Sequence, residues 1–206
     1  MPKSAIAISD GFTTRLRKFE RSRAKLERLL LNGHVTRHDV SLFYEGTFLR
    51  TVTSFESLLE ELFVGLLTGS ITPGRNVHSR VSFRSAAIAR DVMLGGKAYV
   101  DWLPYRHTEN RAIAFFRGGK PFSNLDKGDV RSLERMLTIR HAVAHQSRAA
   151  RKKFEDEVIG STPLLPAERT PAGFLRSVFR VTPPPARTQY EDIAGTCALL
   201  ARKLCT

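Results

Sequence analysis

Cysteine is nearly absent. Cys197 and Cys205 are the only two in 206 residues. They fall on one expected helix, too far apart along it to be bridged, so we read both as reduced, small core or surface residues of a cytoplasmic protein. Long apolar runs are also missing. Every such stretch is interrupted by Glu or Gly well short of the roughly 20 residues a membrane span needs, and none follows Met1-Pro2-Lys3 to make a secretory leader; we therefore expect no membrane association. No GxxxxGK[ST] or GxGxxG occurs, which removes the glycine-rich phosphate loops, and no GxSxG supplies a nucleophile elbow. There is no internal repeat and no low-complexity tract. Acidic charge is scarce: 20 Asp and Glu against 33 Lys and Arg leave a formal charge of +13. That excess favours a polyanionic partner, nucleic acid first and an anionic membrane surface second, although an arginine-rich proteome would produce it too. The distribution tips the balance toward nucleic acid. No acidic residue occurs from Arg135 to Phe154, while Arg140, Arg148, Arg151, Lys152 and Lys153 fall in or beside that stretch.

What is present reads as helix. A hydrophobic content of 42% is enough for a true core, and the length fits one domain with some elaboration. A first helix is expected over 11–32, with Phe12, Leu16, Phe19, Leu26, Leu29 and Leu30 as a broken apolar stripe and seven Arg and Lys residues, Arg23 among them, on a solvated face; Asn32-Gly33 stops it. A second covers 39–67, with Asp39 as candidate N-cap and a stripe from Phe43 to Leu66 so wide that the helix must be central. The stretch 71–96 is less regular, with a turn at Pro73-Gly74, a short extended piece over 80–84 and a helix over 86–94. Next, 111–116 reads as a helix packing Ile113 and Phe116 inward, behind the core aromatics Trp102 and Tyr105. A helix over 127–148 follows, capped by Asp126 or Asp129 and possessing the spacing Leu133, Met136, Ile139, Val143 of a single buried stripe. Six prolines, Pro183, Pro184 and Pro185 among them, make 160–187 irregular, around one packed turn or short strand near Phe174, Val178 and Phe179. A helix over 188–204 closes the chain. The fold expected is all-α and single-domain over 1–206, with its core over 39–151 plus the two outer helices.

One stretch carries chemistry, Arg140-His141-Ala142-Val143-Ala144-His145. At about 100° per residue, Arg140, Ala144, Arg148, His141 and His145 share one side of the expected helix, opposite Met136, Ile139 and Val143. A fixed cation beside titratable imidazoles, with no local carboxylate, suits a phosphate. His141 and His145 at i, i+4 suit a metal ion as well, but position 142 is Ala where a zincin needs Glu, and the arginines repel a cation, so no metal or other cofactor is expected. A packed interface histidine beside a salt-bridged arginine is the plainer alternative.

Arg140 and His145 form Arg-x4-His with a polar residue directly after the Arg, and 139–145 reads Ile-Arg-His-x-x-Ala-His. This resembles the signature of prokaryotic HEPN domains (higher eukaryotes and prokaryotes nucleotide-binding), over about 41–151. The resemblance implies an all-helical bundle and a metal-independent endoribonuclease leaving 2′,3′-cyclic phosphate ends. Arg140 would hold the scissile phosphate, His145 would transfer the proton and His141 would assist. Ser54-Phe55-Glu56-Ser57-Leu58-Leu59-Glu60-Glu61 resembles the Glu-bearing second helix of the family, making Glu56 either a member of the site or the buried partner that orients Arg140. Arg148, Arg151, Lys152 and Lys153 would hold the RNA. Family members pair their motifs across a dimer, so a homodimer is implied, as is a role as toxin or phage-defence effector with an antitoxin or operon partner. The alternatives are a catalytically silent HEPN module that binds RNA or nucleotide or mediates oligomerisation, and a membrane-surface or protein-binding helical domain that uses its basic first helix.

Overall fold

The computed structural model describes residues 2–74, 76–145, 147–178 and 186–206. Phe179, Pro183, Pro184 and Pro185, invoked above, lie outside the described residues. The protein is all-α, with helices α1 (Ala5–Leu31), α2 (Arg37–Thr68), α3 (Ala86–Leu94), α4 (Tyr105–Phe115), α5 (Lys127–Ala144), α6 (Arg148–Phe154), α7 (Pro171–Arg176) and α8 (Gln189–Cys205). The chain divides into two compact units, one of Met1–Thr13, Ser54–Glu134 and Ala198–Thr206, the other of Thr14–Thr53 and Arg135–Cys197.

The helix ends follow local chemistry. Ser4 caps α1 through the N–H of Ala7 at 3.1 Å, so the helix starts six residues before the expected position. It stops where Gly33 takes φ of 73° and His34 N–H returns to Leu29 O at 2.9 Å, a left-handed ending that glycine allows without a Cβ penalty. Asp39 is not the N-cap of α2. Thr36 fills that position, and Asp39 reaches back three residues to its N–H at 2.8 Å while the Thr36 hydroxyl accepts from Asp39 N–H at 3.2 Å, a reciprocal capping box. The same device opens α5, where Asp126 accepts from the N–H of Asp129 at 2.9 Å and Asp129 accepts from that of Asp126 at 3.0 Å. Both expected caps therefore act together.

The first unit packs aromatic on aromatic. Phe63 lies 5.4 Å from Trp102, 5.0 Å from Phe116 and 4.9 Å from Phe122 between ring centroids, separations at which tilted and edge-on rings attract. Tyr105, fully buried, donates to Phe122 O at 2.6 Å. The expected placement of Trp102, Tyr105 and Phe116 in the core holds, but Ile113 is 54% exposed. The helix begins at Tyr105 rather than Arg111, and its buried side is Tyr105, Thr108 and Ala112 instead. Residues 80–84 form no strand; Arg80 N–H donates to Phe115 O at 2.8 Å within an irregular segment. Lys3 and Ser4 pair in parallel with Ile71 and Thr72, against α2 at Gly65. A Cβ there would lie 2.1 Å from Ile71 Cδ1.

In the second unit, segments of α1, α2 and α5 gather on α8. Tyr190 meets Tyr44 edge-on at 6.1 Å and shares a hydrogen bond of 3.2 Å with Thr51, while Cys197 Sγ lies 3.4 Å from Met136 Sδ. Arg23 departs from the expected solvated face of α1. Its side chain, 11% exposed, pairs with Glu20 and with Glu191 at 2.9 Å and donates to Tyr44 Oη at 3.0 Å. Tyr44 donates in turn to Glu27 at 2.9 Å, and Glu27 takes a two-pronged bond from Arg176, both prongs at 2.9 Å. Phe174, on the packed turn expected in the proline-rich region, is buried on α7 against Phe154, 5.8 Å away. Val178 is exposed.

Candidate functional site

The motif stretch lies at the C-terminal end of α5, which stops at Ala144 and does not run on to 148. Ser147 starts a new helix: its side chain accepts from Ala150 N–H, and its backbone is extended at φ −73°, ψ 148°. The peptide of His145 still closes on His141 O at 2.9 Å, so His145 sits one residue past the helix but in helical register. Arg148 does not share that register, so it leaves the face assigned to it above.

Arg140 and His141 are half-buried and His145 is exposed. The two imidazole rings lie 6.0 Å apart, tilted by 51°. Burial first, then the charges of Arg140, His145 and Lys153, hold the His141 pKa below its ordinary value, so this imidazole is neutral near pH 7 and can accept a proton. Among the described residues, no hydrogen bond or ion pair engages the side chains of Arg140, His145, Arg148, Arg151 or Lys152. The carbonyls ending α5 contribute about half a negative charge, less than the guanidinium of Arg140 alone, so the surface stays cationic. Among the described residues no group of three or more His, Cys, Asp or Glu gathers as metal ligands.

The basic cluster divides by helical geometry. At about 100° per residue, Arg148, Arg151 and Lys152 share one side of α6 and Lys153 takes the opposite side. The first three line a cavity of about 640 Å³ whose wall includes Ala142 and Val143 of α5 together with Phe154, Arg169 and Pro171. Lys153 instead acts on His141 and lies 3.8 Å from Glu157. Arg169 is paired with Glu155.

Glu56 sits half-buried on α2 within the first unit, whereas the motif belongs to the second. Of the two carboxylates that α2 carries in the second unit, Asp39 serves the helix cap and Glu45 lines the cavity with Ala142 and Val143; it is the point at which α2 and α5, expected to share a core, meet one space. Burial raises the Glu45 pKa against the opposing charge of His38. Among the described residues no ion pair or hydrogen bond holds its side chain. One signal was available in the sequence: Ser41, Leu42, Phe48 and Leu49 occupy the positions three and four away, so Glu45 has no cation at the spacings of an intrahelical ion pair.

No helix among the described residues is long and apolar enough to cross a membrane. Compared with family models, with curated proteins and with solved structures, the chain gives no match.

Proposed function

We propose that the chain is a metal-independent endoribonuclease, working as a homodimer in the cytoplasm, with Arg140 and His145 as its reacting groups. The observation that supports this is the end of α5, where a guanidinium and two imidazoles 6.0 Å apart stand without a carboxylate partner among the described residues. RNA carries its own nucleophile. In the proposed reaction a base removes the 2′-OH proton, the 2′-oxygen bonds to phosphorus, the bond to the 5′-oxygen breaks, and an acid returns a proton to that leaving oxygen. The products are a 2′,3′-cyclic phosphate and a 5′-hydroxyl.

Arg140 forks to two phosphate oxygens and offsets the added charge, a geometry lysine cannot reproduce. One imidazole cannot easily be base and acid at once, so a second is required. In the dimer reading it comes from the His145 of the partner subunit; His141 offers one within the protomer and, being held neutral, serves best as base. Arg148, Arg151 and Lys152 are the RNA-holding cations. A toxin or phage-defence role, with a cognate regulatory partner, is the biological setting this chemistry suits.

The test is cleavage of single-stranded RNA with EDTA present. His145→Ala should slow it by about 10²–10⁴ and Arg140→Ala should abolish it, while both proteins still bind RNA through the basic cluster, with an affinity that falls as salt rises. A His145→Ala protein that cuts like wild type would refute the nuclease and leave the silent RNA- or nucleotide-binding module in its place. Loss of wild-type cleavage in EDTA would return His141 and His145 to the metal reading.

A further inference from the structure

The cavity beside the motif differs from a bare basic patch. A phosphate-only site needs cations and no carboxylate. Here Arg148, Arg151 and Lys152 ring one part of the wall, Ala142, Val143, Phe154 and Pro171 supply an apolar part, and Glu45 presents a half-buried carboxylate into the same space. The Glu155–Arg169 pair neutralises itself, leaving three cations and one anion for a ligand. At about 640 Å³ the space falls within the range of small-molecule sites, which combine an apolar lining with a few placed polar groups.

Such a wall suits a ligand with an anionic part, a flat apolar part and a hydrogen-bond donor edge, which is the description of a nucleoside phosphate. The donor edge narrows the base. A carboxylate only accepts hydrogen bonds and can take two at once. Guanine sets two donors side by side, N1–H and the N2 amino group, matching the two oxygens. Adenine and cytosine each place a ring-nitrogen acceptor beside their amino group, and uracil flanks its N3–H with two carbonyls; each of these turns a lone pair toward Glu45.

We infer that this cavity is a guanine-nucleotide site, with Glu45 reading the N1–H and N2 edge and Arg148, Arg151 and Lys152 holding the phosphate. It rests on the polyanion-binding part of the function proposed above but not on cleavage, since neither His145 nor Arg140 lines it. The chemistry is the same whether the guanine belongs to a bound RNA strand or to a free nucleotide.

Calorimetric titration of the full chain with GMP, AMP, CMP, UMP and inorganic phosphate tests it without any variant. GMP should bind about tenfold tighter than the other three, or more. Glu45→Gln, which keeps the shape but puts a donor against a donor edge, should erase that preference; Glu45→Asp should weaken binding and keep guanine first; Arg151→Ala should lower affinity for all four alike. Short 2′-O-methyl RNA with and without one guanine, which cannot be cleaved, identifies the source: tighter binding of the guanine-bearing strand than of GMP assigns the site to RNA, and the reverse assigns it to free nucleotide. Equal affinity for the four nucleotides, competition by phosphate as effective as by GMP, or a guanine preference that survives Glu45→Gln overturns the inference. Cleavage without guanine preference would sink this site and spare the nuclease; guanine preference without cleavage would do the opposite.

Discussion

Replacing Arg23 by Ala tests whether the second unit depends on its charge network. The side chain is 11% exposed, and its partners Glu20 and Glu191 are 35% and 25% exposed. Removing it therefore strands two carboxylates that solvent reaches only partly, along with the Tyr44 hydroxyl. Breaking a fully buried pair costs about 3–5 kcal/mol, and an exposed one about 0.2–1 kcal/mol. The partial exposure of both glutamates puts Arg23→Ala between these limits, at about 2–3 kcal/mol, or roughly 4–12 °C in Tm for a chain of this size. Arg23→Lys should recover only part of that, because a single ammonium cannot bridge Glu20, Glu191 and Tyr44 together. The control is Arg21→Ala two residues away on the exposed side of α1, expected within about 0.5 kcal/mol of wild type. Denaturant unfolding of the three variants at neutral pH measures the differences. Acid should erase them. Burial pulls the Glu27 pKa up, but the hydrogen bonds from Arg176 and Tyr44 and the charges of Arg176 and Arg23 outweigh it and leave it below the ordinary carboxylate value. Such a group stabilises the fold above its unfolded pKa, and the contribution is lost as pH falls through the lower folded one. A loss of under about 1 kcal/mol for Arg23→Ala, equal to the Arg21 control within error, would refute the reasoning, because it would mean that solvent already screens the pair.

Two further perturbations probe local arguments. His141 should titrate below the ordinary histidine value by NMR, and Lys153→Ala should move it upward by removing one of the three charges that act on it beside Arg140 and His145; no movement would mean that Lys153 does not face it. Its depressed pKa adds stability above its unfolded value near neutrality, lost as pH falls through the folded one. Gly65→Ala should destabilise by about 1–3 kcal/mol by overpacking against Ile71, and Ile71→Ala should remove most of that added cost in a double-mutant cycle; strictly additive effects would show that the two do not meet.

The all-α fold and most helix positions were legible because periodicity and caps report on neighbours within four residues. The 86–94 helix, the Gly33 stop and the paired Asp126 and Asp129 all have that range. Three misreadings had local causes. Thr36 was overlooked as the cap of α2 because its partner, Asp39, is itself a good cap residue. Ser147, the cap that divides α5 from α6, follows no Gly or Pro, so the apolar period ran on through it. The early start of α4 lies in a segment with few aliphatic residues to set a period. The remaining misses were not local. That Arg23 turns inward depends on Glu191, 168 residues away, and no spacing on α1 reveals it. The candidate site divides the same way. Arg140, His141 and His145 were visible as a motif, whereas the separation of Lys153 from Arg148, Arg151 and Lys152 needed the start of α6, and Glu45 became a candidate only when α2 and α5 met the same cavity.

Each compact unit is stitched from separated stretches of chain, and this bears on synthesis. Asp10 at the start of the chain pairs with Arg202, 192 residues later, and Arg23 waits for Glu191. A ribosome delivers α1 well before α8, so both units stay open until α8 has been made. Until then the wide apolar stripe of α2 has no finished surroundings, and closure must bring together ends whose intervening loop is almost the whole chain. A stop codon anywhere before α8 therefore removes a wall from both units at once.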